Sequence, residues 1–353
     1  MRIIALLAAV SVVIYATPVR SFHEPGTSPC SGCHLSDSQP EEPGSPDNPS
    51  MLKRQTASDV CLSCHATDNG AVFAHDVRHP APERGGGNFI YLLEDNLNDT
   101  RNGESRGNWI PGDAAGHNIN APEHGLRTDA TLITSPGGDY PSHLMSCTSC
   151  HDPHGNDNFR MLRGAGAVDD NGFTFAYKAP VADGISLTIS PESNANHTAY
   201  RSGMSEWCAN CHGDFHNTSY PGVRKHPTGV KLGVAVASAY NAYNGSADPH
   251  GGMQSVAYLA QVPFEDPGPS HTISSTAGPS ASSKVMCLSC HRAHASSAPD
   301  AGRWDFNVTF LDDDARESGS QPLANPYGAG QRSLCNKCHI KDDGDSRLVV
   351  SPE

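Results

Sequence analysis

The chain has 353 residues, 38 of them acidic against 24 Lys and Arg, and a formal net charge of −14. That acidity excludes a role built on holding nucleic acid, because surfaces that grip a phosphate backbone are basic. Hydrophobic residues make up 37% and aromatics 7%, while Gly and Pro number 34 and 27. The chain is therefore turn-rich and short of side chains for a core of this length, and apolar mass must come from another source.

Taken in chain order, the first element is an export signal. Arg2 precedes an apolar run from Ile3 to Tyr15, and a short segment with Ala16, Pro18 and Ser21 follows. The run is shorter than the roughly 20 residues a helix needs to cross a bilayer, so it reads as a signal peptide over residues 1–21 rather than a span. The mature body, residues 22–353, carries a charge of −16 once Arg2 and Arg20 are removed. Runs such as Asp312 to Asp314 read as solvated faces.

Next comes a CxxCH string, Cys30 and Cys33 followed by His34. The same pattern returns with Cys61, Cys64 and His65, with Cys147, Cys150 and His151, and with Cys208, Cys211 and His212. It closes with Cys287, Cys290 and His291, and with Cys335, Cys338 and His339. These six pairs use all twelve cysteines. CxxCH is the attachment sequence of c-type haem: two thiols add to the two vinyl groups on one porphyrin edge, and the adjoining imidazole folds under the ring onto iron. Structural zinc has no need for His after every second Cys. A tight CxxC repeated six times is a poor disulfide framework, and thiol redox catalysis needs one such pair in a βαβ setting. Six covalent haems are the reading, with haem surface replacing the missing core.

Each low-spin haem needs a second axial ligand, and 13 of the 19 His lie outside the motifs. Imidazole in that place keeps the potential below what Met would give, so Met145 and Met286, close before two motifs, are the lesser candidates. Distal candidates are His23 near the mature terminus, His75, His117, His154 in CHDPHG, His216 in CHGDFH, His226, His271 and His294 in CHRAH. A His just after a motif is badly placed for the far face of its own haem and instead ties consecutive haems together. Eight names compete for six places. His79, His124, His143, His197 and His250 are read as surface or supporting residues.

Connectors are expected at Gln39 to Ser50, Pro82 to Asn88 and Ser135 to Ser142, each a cluster of turn residues. Helix is expected at Gly229 to Asn241 and Met253 to Leu259, and strand within Phe173 to Ile189. The irregular motif spacing argues against a solenoid. The fold class that follows is mostly irregular coil with a few short helices and little strand, one hexahaem body whose core is its cofactors.

GMSEWCANCH with FHN and SYP at Gly203 to Pro221, CLSCHRAHAS at Cys287 to Ser296, LCNKCH at Leu334 to His339, PGGDYP before CTSCHDPHG, and Phe22-His23 together resemble the outer-surface hexahaem cytochromes of the OmcS type, which polymerise into extracellular filaments. The resemblance implies bis-His ligation and a haem row continuing between subunits. It also implies donation from other multihaem cytochromes, with ferric oxides or partner cells as acceptors, at the outer cell surface. That family places a His three residues after the first motif's His to ligate a neighbouring subunit's haem; here Leu35, Ser36 and Asp37 follow His34. His23 is the first alternative for such a contact. Two rival functions are a monomeric periplasmic shuttle and a multihaem reductase with one open iron. Six regular motifs and ample His favour a non-catalytic electron carrier.

Overall fold

The structure, a computed structural model, describes residues 23, 29–35, 51–67, 70, 72–74, 85–96, 100–101, 104–105, 114–185, 192–216, 226–245, 251–306, 310–311 and 332–339. The signal segment, the Gln39 to Ser50 connector, His75, His79 and His250 lie outside them. Among the described residues helix is confined to α1 (Ala57–His65), α2 (Cys147–Cys150), α3 (Met204–Cys208), α4 (Gly233–Ala242), a longer 3-10 stretch over Phe89–Asn96 and short 3-10 turns. Strand, among the described residues, amounts to three two-stranded pairs, of which the longest joins Val181–Asp183 to Ala199–Ser202. No described helix is long and apolar enough to cross a membrane.

Short helices of this kind need help from caps, since nucleation is unfavourable. Thr56 caps α1 by accepting from the Asp59 amide at 3.1 Å, and Asp59 adds negative charge to the first turn. Asp59 is itself buried and serves as a junction: its carboxylate accepts from the Thr56 hydroxyl at 2.8 Å, the Glu123 amide at 3.1 Å and His124 Nδ1 at 3.2 Å. Ser146 and Ser149 form a capping box around α2. In this way the segment before a CxxCH motif is pinned to a distant part of the chain.

The elements repeat in pairs, a regularity that the uneven motif spacing conceals. α1 packs on α2, and α3 packs on the 3-10 turn Cys287–Ser289. The amide of Cys147 donates to Ser58 Oγ at 3.2 Å, and that of Cys287 donates to Ser205 Oγ at the same distance. Each Ser lies three residues before the first cysteine of its own motif. Past the third and fifth motifs the match continues. His151 Nδ1 meets the Arg160 carbonyl and His291 Nδ1 the Asp300 carbonyl, both at 2.8 Å. Arg163 Nε donates to Thr148 O at 2.9 Å, and Arg303 Nε to Leu288 O at 2.6 Å.

Among the described residues three apolar clusters hold the body. One gathers Leu62, Phe73, Phe89, Ile90, Tyr91 and Ile119, with Cys147 against it. Another gathers Tyr240, Tyr258, Leu259, Phe264, Trp304 and Leu334, with Cys290 and Cys338 at its edge. The third is Tyr200, Met204, Met286 and Leu288, with Cys208 alongside. Every cluster thus ends on motif cysteines, where a porphyrin face would extend it.

Local expectations fared unevenly. The helix expected from Gly229 begins only at Gly233, because Gly229 and Leu232 give their amides to Val285 and Ser283, and both Gly229 and Gly233 have positive φ. The second expected helix shrinks to one 3-10 turn, Gln254–Val256, since the Tyr258 amide pairs with Thr276. In the Phe173 to Ile189 stretch the described strand is Val181–Asp183, while Phe173 and Phe175 fold back on Asp169 and Ala167.

Candidate functional site

The six attachment motifs form a row in sequence order. Cys33 acts electrostatically on Cys61, and the side chains of Cys61 and Cys147 are in hydrogen-bond contact, as are those of Cys208 and Cys287. Burial pushes the thiols of Cys150 and Cys290 up to about 12, and the next contribution to each comes from the following motif, Cys211 and Cys338 respectively. Each motif therefore touches or faces its successor. At the fourth motif the backbone of an earlier loop also packs closely: a Cβ on Gly138 would stand 1.8 Å from the Cys211 carbonyl oxygen.

The sequence treats the twelve thiols alike, and the structure does not. Cys64 differs from its motif partner Cys61: it is exposed at the end of α1, and its Sγ lies 3.8 Å from the hydroxyl of its own neighbour Ser63 rather than against another motif. Cys30 and Cys335 are exposed as well, whereas the other nine cysteines are partly covered. The physical reason is position: the thiols of Cys61, Cys147, Cys208 and Cys287 lie where two motifs meet, whereas Cys64 lies one helical turn beyond Cys61.

Opposite the motif imidazoles stand other imidazoles. Ring centres are 6.1 Å apart for His65 and His23, 6.3 Å for His34 and His154, 6.4 Å for His151 and His294, 5.9 Å for His212 and His117, and 6.1 Å for His339 and His226. An iron between two imidazole nitrogens at about 2 Å each, with each nitrogen about 1 Å from its ring centre, sets the centres about 6 Å apart. Five of the eight distal candidates thus stand at the span an axial pair requires. The ring contact of His291 is Phe306, 5.3 Å away and edge-on, and no imidazole among the described residues lies across from it at that span. His216 lies near enough to Cys287 to act on it electrostatically, and its Nε2 is buried without a hydrogen-bond partner.

Tautomers are fixed in the sense that ligation needs. The Nδ1 atoms of His151, His212, His291 and His117 face the carbonyl oxygens of Arg160, Pro136, Asp300 and Ala293 at 2.8, 2.7, 2.8 and 2.6 Å. Against a carbonyl, Nδ1 must carry the proton and donate, which leaves the Nε2 lone pair for a metal. His226 Nδ1 does the same to Pro227 O at 2.9 Å, and His23 Nδ1 to Pro153 O at 3.4 Å. Burial favours the neutral form of four rings: His294 is pushed down to about 3, with His151 next in effect, His212 to about 4, with His117 next, and His151 and His117 are lowered as well.

His271 is placed elsewhere. Its ring stacks on Phe264 at 5.0 Å and lies 5.8 Å from His197, with no motif His across from it among the described residues. His197, fully buried, has both nitrogens on carbonyl oxygens, Thr198 at 3.2 Å and Ser275 at 2.9 Å, so neither is free for iron. His124 is bound to Asp59. The carbonyl acceptors are what the sequence could not disclose, since Pro136, Asp300 and Ala293 are remote or unremarkable in the chain.

A row of paired CxxCH loops in a coil-rich body, with imidazoles set one iron's width apart, defines a multihaem c-type cytochrome. The residues fit covalently held haems in their thiol spacing, ring spacing and tautomers. The family described as Doubled CXXCH motif matches residues 23–70 and 141–169. C-type cytochrome OmcS of Geobacter sulfurreducens is 31% identical over 97% of this chain and 99% of its own length. Two solved structures are similar across 91% of this chain and all of theirs. One, titled Outer Membrane Cytochrome S Filament from Geobacter sulfurreducens, has a TM-score of 0.71 and 30% identity, and the other, of OmcS nanowires from the same organism, has 0.72 and 29%. The chain belongs to the OmcS family of c-type cytochromes.

Proposed function

We propose that this protein is an exported subunit of an extracellular cytochrome filament that carries electrons over long distances through six covalently attached haems. The observation that carries it is the sequence-ordered row of motifs, each loop facing the next. When bound, the haems supply one-electron couples close enough together for charge to pass along the row. The protein's part is to hold them: the cysteines, Cys64 among them, fix each ring by one edge, and paired imidazoles fix its axis. The apolar clusters keep water away from the faces.

The axial sets in this reading are His34 with His154, His65 with His23, His151 with His294, His212 with His117, and His339 with His226. For His291 the described candidate is His216, with its unpartnered buried Nε2 beside the fifth motif. Residues 1–21 direct export and are removed. Nothing in this arrangement asks a side chain to act as acid, base or nucleophile.

Self-association is proposed because the similar structures are a filament and nanowires, with other multihaem cytochromes as donors and external oxides or partner cells as acceptors. Asp37, where the family resemblance implied an inter-subunit His, favours a second reading, a monomeric shuttle. Intact mass and cryo-EM of the secreted product test both. Six haem masses and a filament are expected. A product lacking added haem mass would refute the function, and monomers alone at high concentration would leave the shuttle.

A further inference from the structure

Among the described residues five that are not glycine have positive φ: Met51, Arg160, Met161, Asp300 and Ala301, at 52, 54, 55, 58 and 54°. An L side chain in this left-handed region crowds its own backbone, which is why glycine usually fills it. These five share one setting. All lie in a segment that turns back onto an attachment motif.

The return is built alike at the first, third and fifth motifs. Leu35, Asp152 and Arg292, the residues after the motif histidines, donate their amides to the carbonyls of Met51, Met161 and Ala301 at 2.8, 2.9 and 2.6 Å. Two residues further on, Lys53, Arg163 and Arg303 donate theirs to the second cysteines, Cys33, Cys150 and Cys290, at 2.9, 2.9 and 2.7 Å. At the third and fifth motifs a further left-handed residue comes first: Arg160 with φ 54° and ψ 25°, and Asp300 with φ 58° and ψ 30°. Theirs are the carbonyls that accept from His151 and His291 Nδ1, each nine residues back in the chain. At the fourth motif the acceptor on His212 is Pro136 O, 76 residues away, and the left-handed residue beside it is a glycine, Gly137.

Strain of this kind persists only where its surroundings over-determine it. The side chains do not supply that hold at the first position of each pair, since Arg160 and Asp300 are exposed. The amide bonds on the motif loop do, and they clamp the turn with one carbonyl set on the imidazole. A carbonyl on Nδ1–H makes the ring a stronger donor through Nε2, which favours ferric over ferrous iron in a haem the ring ligates. We propose that the left-handed pairs Arg160–Met161 and Asp300–Ala301 are positioning residues that hold a carbonyl on the motif imidazole and so lower the reduction potentials of the haems on the third and fifth motifs. The inference rests on the reading that these motifs hold haems.

Redox titration followed optically, with thermal melting of the same full-length, haem-loaded samples, tests it once intact mass has established six haems in every variant. Asp300→Val puts a β-branched side chain at a φ that such residues resist. One of the six one-electron components is expected to rise by about tenfold in its equilibrium constant, or 59 mV for one electron. Asp300→Asn removes the same charge but tolerates the left-handed region, and Asp300→Gly is unstrained there. Both are expected to leave all six components in place, and Asp300→Gly to melt above the wild type. Ala301→Val changes no charge, is expected to raise the same component, and provides the test if Asp300→Val loads poorly. Unmoved components in both valine variants would overturn the inference. So would a rise in Asp300→Asn or Asp300→Gly equal to that in Asp300→Val, which would trace the effect to charge or packing. A wild-type mass short of six haems would instead remove the reading beneath it.

Discussion

Replacing His294 by Ala separates the axial pairs from the remaining histidines. The ring of His294 stands 6.4 Å from His151 and stacks on Phe89 with centres 4.5 Å apart. Its main chain does a separate task, accepting from the His117 amide at 2.8 Å, and survives truncation. Loss of the stacking costs about 1 kcal/mol, and the cavity of a deleted ring raises the total to about 3 kcal/mol. The spectroscopic effect is larger in kind: one iron in six loses its second imidazole. Electron paramagnetic resonance of the oxidised protein is expected to show a new high-spin signal accounting for one haem in six, and added imidazole is expected to remove it. His271→Ala is the control, because that ring leans on Phe264 and His197. An unchanged low-spin spectrum in His294→Ala, or a new high-spin haem in His271→Ala, would refute the pairing.

Other expectations follow from the same geometry. Asp59→Ala leaves the Glu123 amide, His124 and Thr56 without their shared acceptor at the base of α1, and a loss of about 2–3 kcal/mol is expected in thermal unfolding. Ser58→Ala and Ser205→Ala each remove one acceptor from a motif amide, at about 1 kcal/mol apiece, and their near-equality would confirm the paired architecture. Arg303→Lys cannot reach Leu288, Ala260 and Gly85 carbonyls at once, so about 2–4 kcal/mol should be lost in denaturant melts. Acid should destabilise the fold between about pH 6.5 and pH 4. The unfolded chain takes up protons on His212 and His294 there, whereas the folded chain, holding both well below the ordinary value, refuses them; melts at pH 7, 5.5 and 4.5 would show it.

Cofactor class and the poverty of regular structure were legible in the sequence, because thioether chemistry demands a fixed local string and Gly and Pro act locally. The unequal surroundings of the motif cysteines were not: Cys61 meets Cys147 while Cys64, three residues on, faces solvent. The surplus of histidines was legible too, but not which rings stand across from one another. His117 reaches His212, and His294 reaches His151, across 95 and 143 residues, which only the folded chain brings together. The helix start at Gly233 and the doubled α1–α2 and α3–Cys287 frames are likewise tertiary facts. Covalent chemistry is written in neighbouring residues, and a sequence displays neighbours. Axial partnership and tautomer depend on which distant groups share a low-dielectric interior, and those are fixed when the chain closes on itself.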